Sequence, residues 1–273
     1  MNSNRHSIYN LNIRNYHNFD SILYSKLKYG HKTSIELFSK QVANFILDLE
    51  EKKLIDLSNT IFLIGPYQKI NTAASLLSKA VIDEINLKTY QISDLPSLES
   101  GKIHRQSTYF NDYALMDKSN RYNLIKNDKF YTDFELIEKK NIILLDDIRI
   151  TGVHENLMKR FFQENNFSGK LDFVFLAEIE ENDFEASIEH ELNSAFVKSI
   201  DSLIPFILNR EIIYTTRFIK MLLNLDYSKF QTVINLFEKE QIKKIITLSI
   251  GNNYHLEVLF SINIKHMQKL IQI

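Results

Sequence analysis

No cysteine occurs in the chain, so it has neither a disulfide framework nor a thiolate metal site. That absence fits a reducing compartment, and a cytoplasmic location is the expectation. Tryptophan is missing as well, which reads as compositional bias. Six glycines and three prolines in 273 residues are too few for a loop-rich or disordered molecule. Charge of one sign is also lacking. Lys plus Arg number 33 and Asp plus Glu 34, a net −1, so no basic field favours nucleic acid and no acidic tail appears. No apolar run reaches the ~18 residues that would span a bilayer. The first residues, "MNSNRHSIYNLNIRNYHNF", lack the apolar centre of a signal peptide. The eight histidines show no ligand spacing, neither HExxH nor HxH. A GxSxG elbow, GxGxxG and GxxxxGK[ST] are absent too, which disfavours serine hydrolases, standard dinucleotide folds and P-loop NTPases.

What is present is ordinary for a globular protein, with 44% hydrophobic and 25% charged residues. Residues 1–31 are polar and aromatic without a clear period. Over 32–54, Ile35, Phe38, Val42, Phe45, Ile46 and Leu49 recur at helical spacing. "TIFLIG" (60–65) is a short apolar run ending in glycine, the signal of a buried strand. Asn71 or Thr72 can cap a following helix, on which Ala73, Leu76, Leu77, Ala80 and Val81 form one face. "KTYQI" (88–92) predicts another strand. Residues 93–121 mix Pro, Gly, Ser and charge without a period, as functional or disordered loops do. Strands are then predicted at 141–145 and 171–179, with a helix over 153–165 between them. Such alternation predicts an α/β fold, a parallel sheet with helices on both faces. Beyond about 182 the pattern turns helical, in "FEASIEHELNSAFVKSI", "TTRFIKMLLNL" and "FQTVINLFEKEQIKKIITL". The expected division is an α/β domain over 1–182 and a helical subdomain over 183–273.

"NIILLDDIRITGVHE" (141–155) carries the chemistry. A hydrophobic strand runs into Asp146 and Asp147, then a Thr-Gly turn, then a helix start. Adjacent carboxylates repel and are costly to bury unless something compensates them. In open α/β sheets, ligands bind beyond the carboxyl ends of strands. Acids there suit a sugar diol, and a turn at a helix N-terminus suits a phosphate. An acidic strand cap ahead of an ordinary helix is the plain alternative.

"IILLDDIRITGVH" resembles the signature of type I phosphoribosyltransferases, and the chain looks most like their ComF-like group. The resemblance covers roughly residues 24–182, and only 141–154 is specific. It implies a phosphoribosyltransferase-like core with a helical extension, and transfer of a phosphoribosyl group from phosphoribosyl pyrophosphate (PRPP) to a nitrogenous base, or the reverse. Mg²⁺ is the implied cofactor, held indirectly by Asp146 and Asp147. The implied roles put Asp146 and Asp147 on the ribose hydroxyls, and Ile150, Thr151, Gly152, Val153 and His154 on the 5-phosphate. Gly65, Pro66, Tyr67, Gln68 and Lys69 would form the pyrophosphate loop. Lys102, His104 and Arg105 would lie on a loop that closes over PRPP, with Lys102, Arg105 and Asp147 as the catalytic set. Lys26, Lys28 and Gly30 match, more loosely, a cleft-lining N-terminal segment, so 1–31 is a candidate hood.

The chain departs from the pattern in two places. His154 stands where the family usually has Thr or Ser, followed by Glu155, which would repel phosphate unless turned away. Ile150 replaces the carboxylate of the hypoxanthine-guanine branch, which argues against that branch. Arg149 is open to two roles, reaching a substrate anion or pairing with a neighbour. Tyr109, Phe110 and Tyr113 are candidates to stack on a base or to fill the core. The tail is a candidate hood or homodimer surface. No nucleic-acid or membrane partner is expected. A PRPP-binding regulator without turnover stays open, because a fold does not give a function. A phosphotransfer receiver is disfavoured, because its acids lie near the first strand.

Overall fold

The computed structural model of the chain describes residues 2–12, 14–92, 96–106, 128–179 and 188–271. A six-stranded sheet is built from β1 (Asn2–Leu11), β2 (Thr60–Tyr67), β3 (Glu99–Arg105), β4 (Phe130–Tyr131), β5 (Asn141–Arg149) and β6 (Lys170–Ile179). Their order across the sheet is β1-β6-β5-β2-β3-β4. All neighbours are parallel except β3 and β4, so the sheet is mixed at one edge rather than wholly parallel.

The central strands explain the two-sided cover. Side chains alternate faces along a strand, so a strand buried on both sides must be apolar throughout. Phe62, Ile64, Ile143 and Leu145 face a core shared with α2 (Lys32–Glu51) and α3 (Ala73–Ile92). Ile61, Leu63, Ile142 and Leu144 face the opposite core, which contains α5 (Val153–Glu164). The short α1 (Ser21–Lys28) lies on the first face, and the single-turn α4 (Phe134–Ile137) on the second.

Beyond β6 come α6 (Ile188–Ser194), α7 (Ile204–Leu208), α8 (Thr216–Leu223), α9 (Tyr227–Ile234), α10 (Lys239–Gly251) and α11 (Val258–Ile271). Of these, α6 packs on the first core through Ile188 and Leu192, while α7 to α11 close over a third core, which also takes in Tyr29 and Ile70. The tail is tied to the α/β part through its backbone, since Ile213 N donates to Gly30 O at 2.8 Å and Thr216 N to Asn71 O at 2.9 Å. Gly30 has φ +84°, and a Cβ there would sit 1.9 Å from Ile213 O, so only glycine lets the tail approach. Among the described residues no helix is long and apolar enough to cross a membrane.

Three sequence expectations are corrected. Residues 88–92 are not a strand but the end of α3, where Thr89 Oγ1 bonds Ile85 O at 3.0 Å. Tyr90 there is 76% exposed, whereas a strand of the parallel sheet would be covered. The unpatterned N-terminus contains β1, an edge strand held by polar contacts. Asn4 Nδ2 donates to Asp172 Oδ1 at 3.0 Å, and Arg5 reaches β6 and α5. An edge strand has no need of an apolar run and is commonly charged. Finally, Lys102, His104 and Arg105 lie not on a loop but on β3, whose only fully covered residue is Ile103. Tyr109, Phe110 and Tyr113, and the boundary near 182, lie outside the described residues.

Candidate functional site

From β2 the chain crosses through α3 to β3 on one side, and from β5 through α5 to β6 on the other. The β2–β5 seam is therefore the point where connections diverge, and open α/β sheets bind ligands in the crevice there. Pairing of β5 with β2 ends at Leu63↔Leu144, but pairing with β6 continues to Arg149↔Glu178. Asp146 and Asp147 thus sit where one side of β5 has opened. Both line a cavity of about 650 Å³ that also reaches residues of the tail.

Adjacent strand residues point to opposite faces, and each acid has found its own partner. Asp147 Oδ2 accepts from Lys28 Nζ at 2.5 Å, with the buried Tyr24 hydroxyl at 3.5 Å. Asp146 Oδ2 lies 2.8 Å from His154 Nδ1 on the helix side. Backbone amides complete the set, Asp147 N on Asp146 Oδ1 and Ile148 N on Asp147 Oδ1, both at 2.9 Å. Burial pushes the Asp147 carboxyl up and Asp146 adds to this, against the opposing pull of Lys28. Burial works against the Asp146 carboxylate too, but the bond and charge of His154 outweigh it and hold that carboxyl down. The two acids are therefore held in different states of readiness to ionise.

The turn that follows is capped by Gly152 at φ +66°, so no capping side chain covers the first amides of α5. A Cβ at Gly152 would meet Arg149 Nη2 at 2.6 Å. Gly152→Ala is expected to cost about 1–3 kcal/mol through the left-handed backbone alone. It should also displace Arg149, which a thermal melt and a ribose 5-phosphate titration would report together.

Glu155 is at the cavity wall, with its carboxylate enclosed by cations. Its carboxylate, 1% exposed, accepts from Arg149 Nε at 2.7 Å, Arg5 Nε at 3.0 Å and Lys159 Nζ at 2.6 Å. Arg5 and Arg149 also share Glu178, at 2.9 and 3.2 Å. Of the two roles open to Arg149, the structure shows it pairing with neighbours, from a place on the cavity wall. Burial opposes the Glu155 charge, yet these cations pull its carboxyl down to about 2. Sequence reasoning missed Arg5, because its partners lie 150 and 173 residues away.

Gly65, Pro66, Tyr67 and Gln68 line the same cavity as the acids. Lys69 does not face it in the same way. Its amide donates to Asn252 Oδ1 at 2.9 Å, and its side chain lies against Gly251. Lys102 Nζ donates to Gln68 O at 2.7 Å and sits 3.7 Å from the centre of the Tyr67 ring. Burial lowers the Lys102 pKa, and the charges of Lys79 and Lys69 lower it further. Arg105 lines the cavity and pairs with Asp128 at 2.5 Å. His104 packs near Tyr131, ring centres 6.1 Å apart. Of the N-terminal candidates, Lys28 reaches the acids, Gly30 receives the tail, and Lys26 sits 4.3 Å over the Phe196 ring. The cap of α3 is Thr72, whose Oγ1 accepts from Ser75 N at 3.1 Å.

Among the described residues no group of three His, Asp or Glu side chains could hold a metal ion. Two carboxylates at the cleft are still the usual protein share for Mg²⁺, which takes its remaining ligands from substrate phosphates and water. The donor set fits an ion that arrives with its substrate.

Known proteins similar to this chain include two solved hypoxanthine phosphoribosyltransferases. One, from Staphylococcus aureus, is 13% identical, with a TM-score of 0.34 over 54% of this chain and 75% of that one. Another, from Trypanosoma cruzi and solved as a ternary substrates complex, is 16% identical, with a TM-score of 0.33 over 56% and 80%. No curated protein matches the chain. The model of a family described as PRTase ComF-like matches residues 3–267. With nearly its whole length matched, the chain belongs to the ComF-like phosphoribosyltransferase family.

Proposed function

We propose that the protein binds PRPP and transfers its phosphoribosyl group to a nitrogenous acceptor, with release of pyrophosphate. One observation carries this reading: Asp146 and Asp147 open onto the same cavity as the uncovered N-terminus of α5. The carboxylates accept hydrogen bonds from the ribose 2- and 3-hydroxyls, displacing or sharing Lys28 and His154. Residues 150–154 hold the 5-phosphate with backbone amides, and His154 can donate to it once released from Asp146. Glu155 does not oppose the phosphate, because its charge is spent on Arg5, Arg149 and Lys159. The 65–68 loop and Arg105 face the pyrophosphate, and the charges of Lys69, Lys79 and Lys102 add positive potential. Mg²⁺, when bound with the substrate, would offset charge on the leaving pyrophosphate. The rest is positioning and charge stabilisation by this chain's own groups. The 183–273 tail serves as the hood that shields the reacting carbon from water.

A second reading, a PRPP-binding regulator without turnover, is favoured by the placement of Lys69 and Lys102, whose side chains contact Gly251 and the Gln68 carbonyl. Calorimetry with PRPP and Mg²⁺, followed by a pyrophosphate-release assay over a panel of purine and pyrimidine bases, separates the two. Binding with release for one base is the expected result. Binding without release for any base would select the regulator, and no binding at all would remove both.

A further inference from the structure

Exposed aliphatic residues such as Ile22, Leu37, Leu54 and Leu208 stand apart in sequence, as is normal for a protein surface. One region is different. Leu256, Val258 and Leu259 are each at least 65% exposed, and Ile250 and Ile262 join them at the tip of the hairpin that α10 makes with α11. Clustered apolar exposure of this kind marks an interaction surface. The tip has no room to draw these residues inward, because its inner side chains are already placed. Ile242, Ile245 and Ile246 of α10 and Phe260, Ile264 and Met267 of α11 fill the tail's core. The buried Tyr254 ring meets Phe260 edge-on at 5.4 Å. Asn252 Oδ1 takes the amides of Lys69 and Ile70, both at 2.9 Å, which pins the turn to the α/β part.

The hairpin also carries charge mainly of one sign. Over 239–271 five lysines stand against two carboxylates, Glu240 and Glu257, and only Glu257 falls between 250 and 262. Lys243 lies seven residues before Ile250 and Lys265 seven after Val258, and both are exposed. Along α11 the exposed residues Val258, Ile262, Lys265 and Lys269 follow at i, i+4, i+7 and i+11, one stripe on one side of the helix. Seven helical residues rise about 10 Å. An apolar tip therefore leads, and a lysine follows on each arm about 10 Å behind it. Among the described residues, Lys243, Lys265 and Lys269 form no salt bridge. The Lys69 side chain lies against Gly251 and adds a further cation beside the turn.

We propose that the tip of the α10–α11 hairpin docks on an anionic lipid surface. An element lying at a bilayer surface buries its apolar side about 5–10 Å into the headgroup boundary. At that depth the five aliphatic side chains leave water. Lys243 and Lys265 then reach the level of the lipid phosphates, where their charge is attracted and their stems still cover apolar surface. A second copy of the chain fits less well. Tips set face to face oppose lysines with lysines, and five side chains fall short of the roughly 20–30 residues a side that a stable pair buries. The lack of a spanning run excludes a helix that crosses the bilayer, but not a tip that lies on it. Asn252 and Tyr254, on the inner side of the same turn, line the cavity, so docking sets the cavity beside the lipid. The inference is independent of the proposed function and needs no turnover.

The chain has no tryptophan, so Leu259→Trp places a single reporter at the tip. Leu54→Trp is the control, since Leu54 is exposed at the opposite end of the sheet, where Lys170 Nζ donates to its carbonyl at the start of β6. With vesicles of two parts phosphatidylcholine to one part phosphatidylglycerol, the emission of Leu259→Trp is expected to shift to the blue. No shift is expected for Leu54→Trp, or with phosphatidylcholine alone. In flotation the full chain should bind the mixed vesicles. Val258→Ser combined with Ile262→Ser should weaken that binding at least tenfold at a nearly unchanged melting temperature, because both residues are exposed. Lys243→Gln, Lys265→Gln and Lys269→Gln together should weaken it on the order of a hundredfold. A chain that does not float with the mixed vesicles overturns the proposal. Binding that the lysine variant loses and the serine variant keeps also overturns it, because that marks adsorption by charge alone. A wild type that sediments as a dimer, becomes a monomer in the serine variant and ignores vesicles would assign the patch to a second copy and overturn it too.

Discussion

Glu155→Ala is expected to destabilise the protein more than any other single change at the cleft. The carboxylate is buried and holds Arg5, Arg149 and Lys159 at 2.6–3.0 Å. Removing it leaves cations facing one another around an emptied site. Breaking a buried pair by deleting one partner typically costs about 3–5 kcal/mol. For a chain of this size that is a fall in melting temperature of about 6–20 °C. Glu155→Gln should lose somewhat less, because it keeps the volume and one acceptor.

The same residue fixes a pH dependence. Its folded-state value, about 2, lies below the ordinary glutamate value of 4.5. A depressed carboxyl contributes stability that is present above the unfolded value and lost as pH falls through the folded one. Wild type should therefore lose on the order of 3 kcal/mol between about pH 5 and pH 2 from this group. Glu155→Gln should lack that segment of the acid-unfolding curve. Equal acid profiles for the two proteins would contradict the assignment.

Asp147→Asn is expected to have the largest effect on binding. A hydrogen bond to a charged group contributes about 1.5–3 kcal/mol. At 1.4 kcal/mol per decade, losing one weakens PRPP or ribose 5-phosphate binding by about 10- to 100-fold. Asparagine keeps the shape and one acceptor oxygen but leaves Lys28 without its counter-charge, so a small fall in stability should accompany the loss. Titration calorimetry and a melt on the same sample distinguish the two effects. An Asp147→Asn variant that binds both ligands as wild type does would remove the carboxylates from the ligand's contacts.

Several parts of this molecule were legible because one local rule decides them. "TIFLIG" and "NIILL" are apolar without alternation, which only a strand covered on both faces needs. Two acids after such a strand, followed by Thr-Gly and a helix, point to the seam of an open sheet. Other parts were not legible, for definite reasons. β1 is polar because it is an edge, and β3 is polar because little of it is covered. Their strand character comes from neighbours, and neighbours are remote in sequence. "KTYQI" has residues that favour strands, but it continues a helix already propagating from Ala73, and extension adds a bond per residue without new nucleation. "TTRFIKMLLNL" was legible as a helix, but nothing local said which of its faces meets the cavity.

By itself, then, the sequence determined the central strands β2, β5 and β6, the helices α2, α3 and α5 that cover them, the acidic pair and the helical character of the tail. Each of these follows from short-range periodicity or from residue chemistry within about ten positions. Tertiary structure alone decided how the charges were spent. It turned Asp146 to His154 and Asp147 to Lys28, sank Glu155 among Arg5, Arg149 and Lys159, and brought the tail's cations to the cavity. A charge's role depends on what lies within a few ångströms and on how much water is excluded there. Both are set only when distant segments pack.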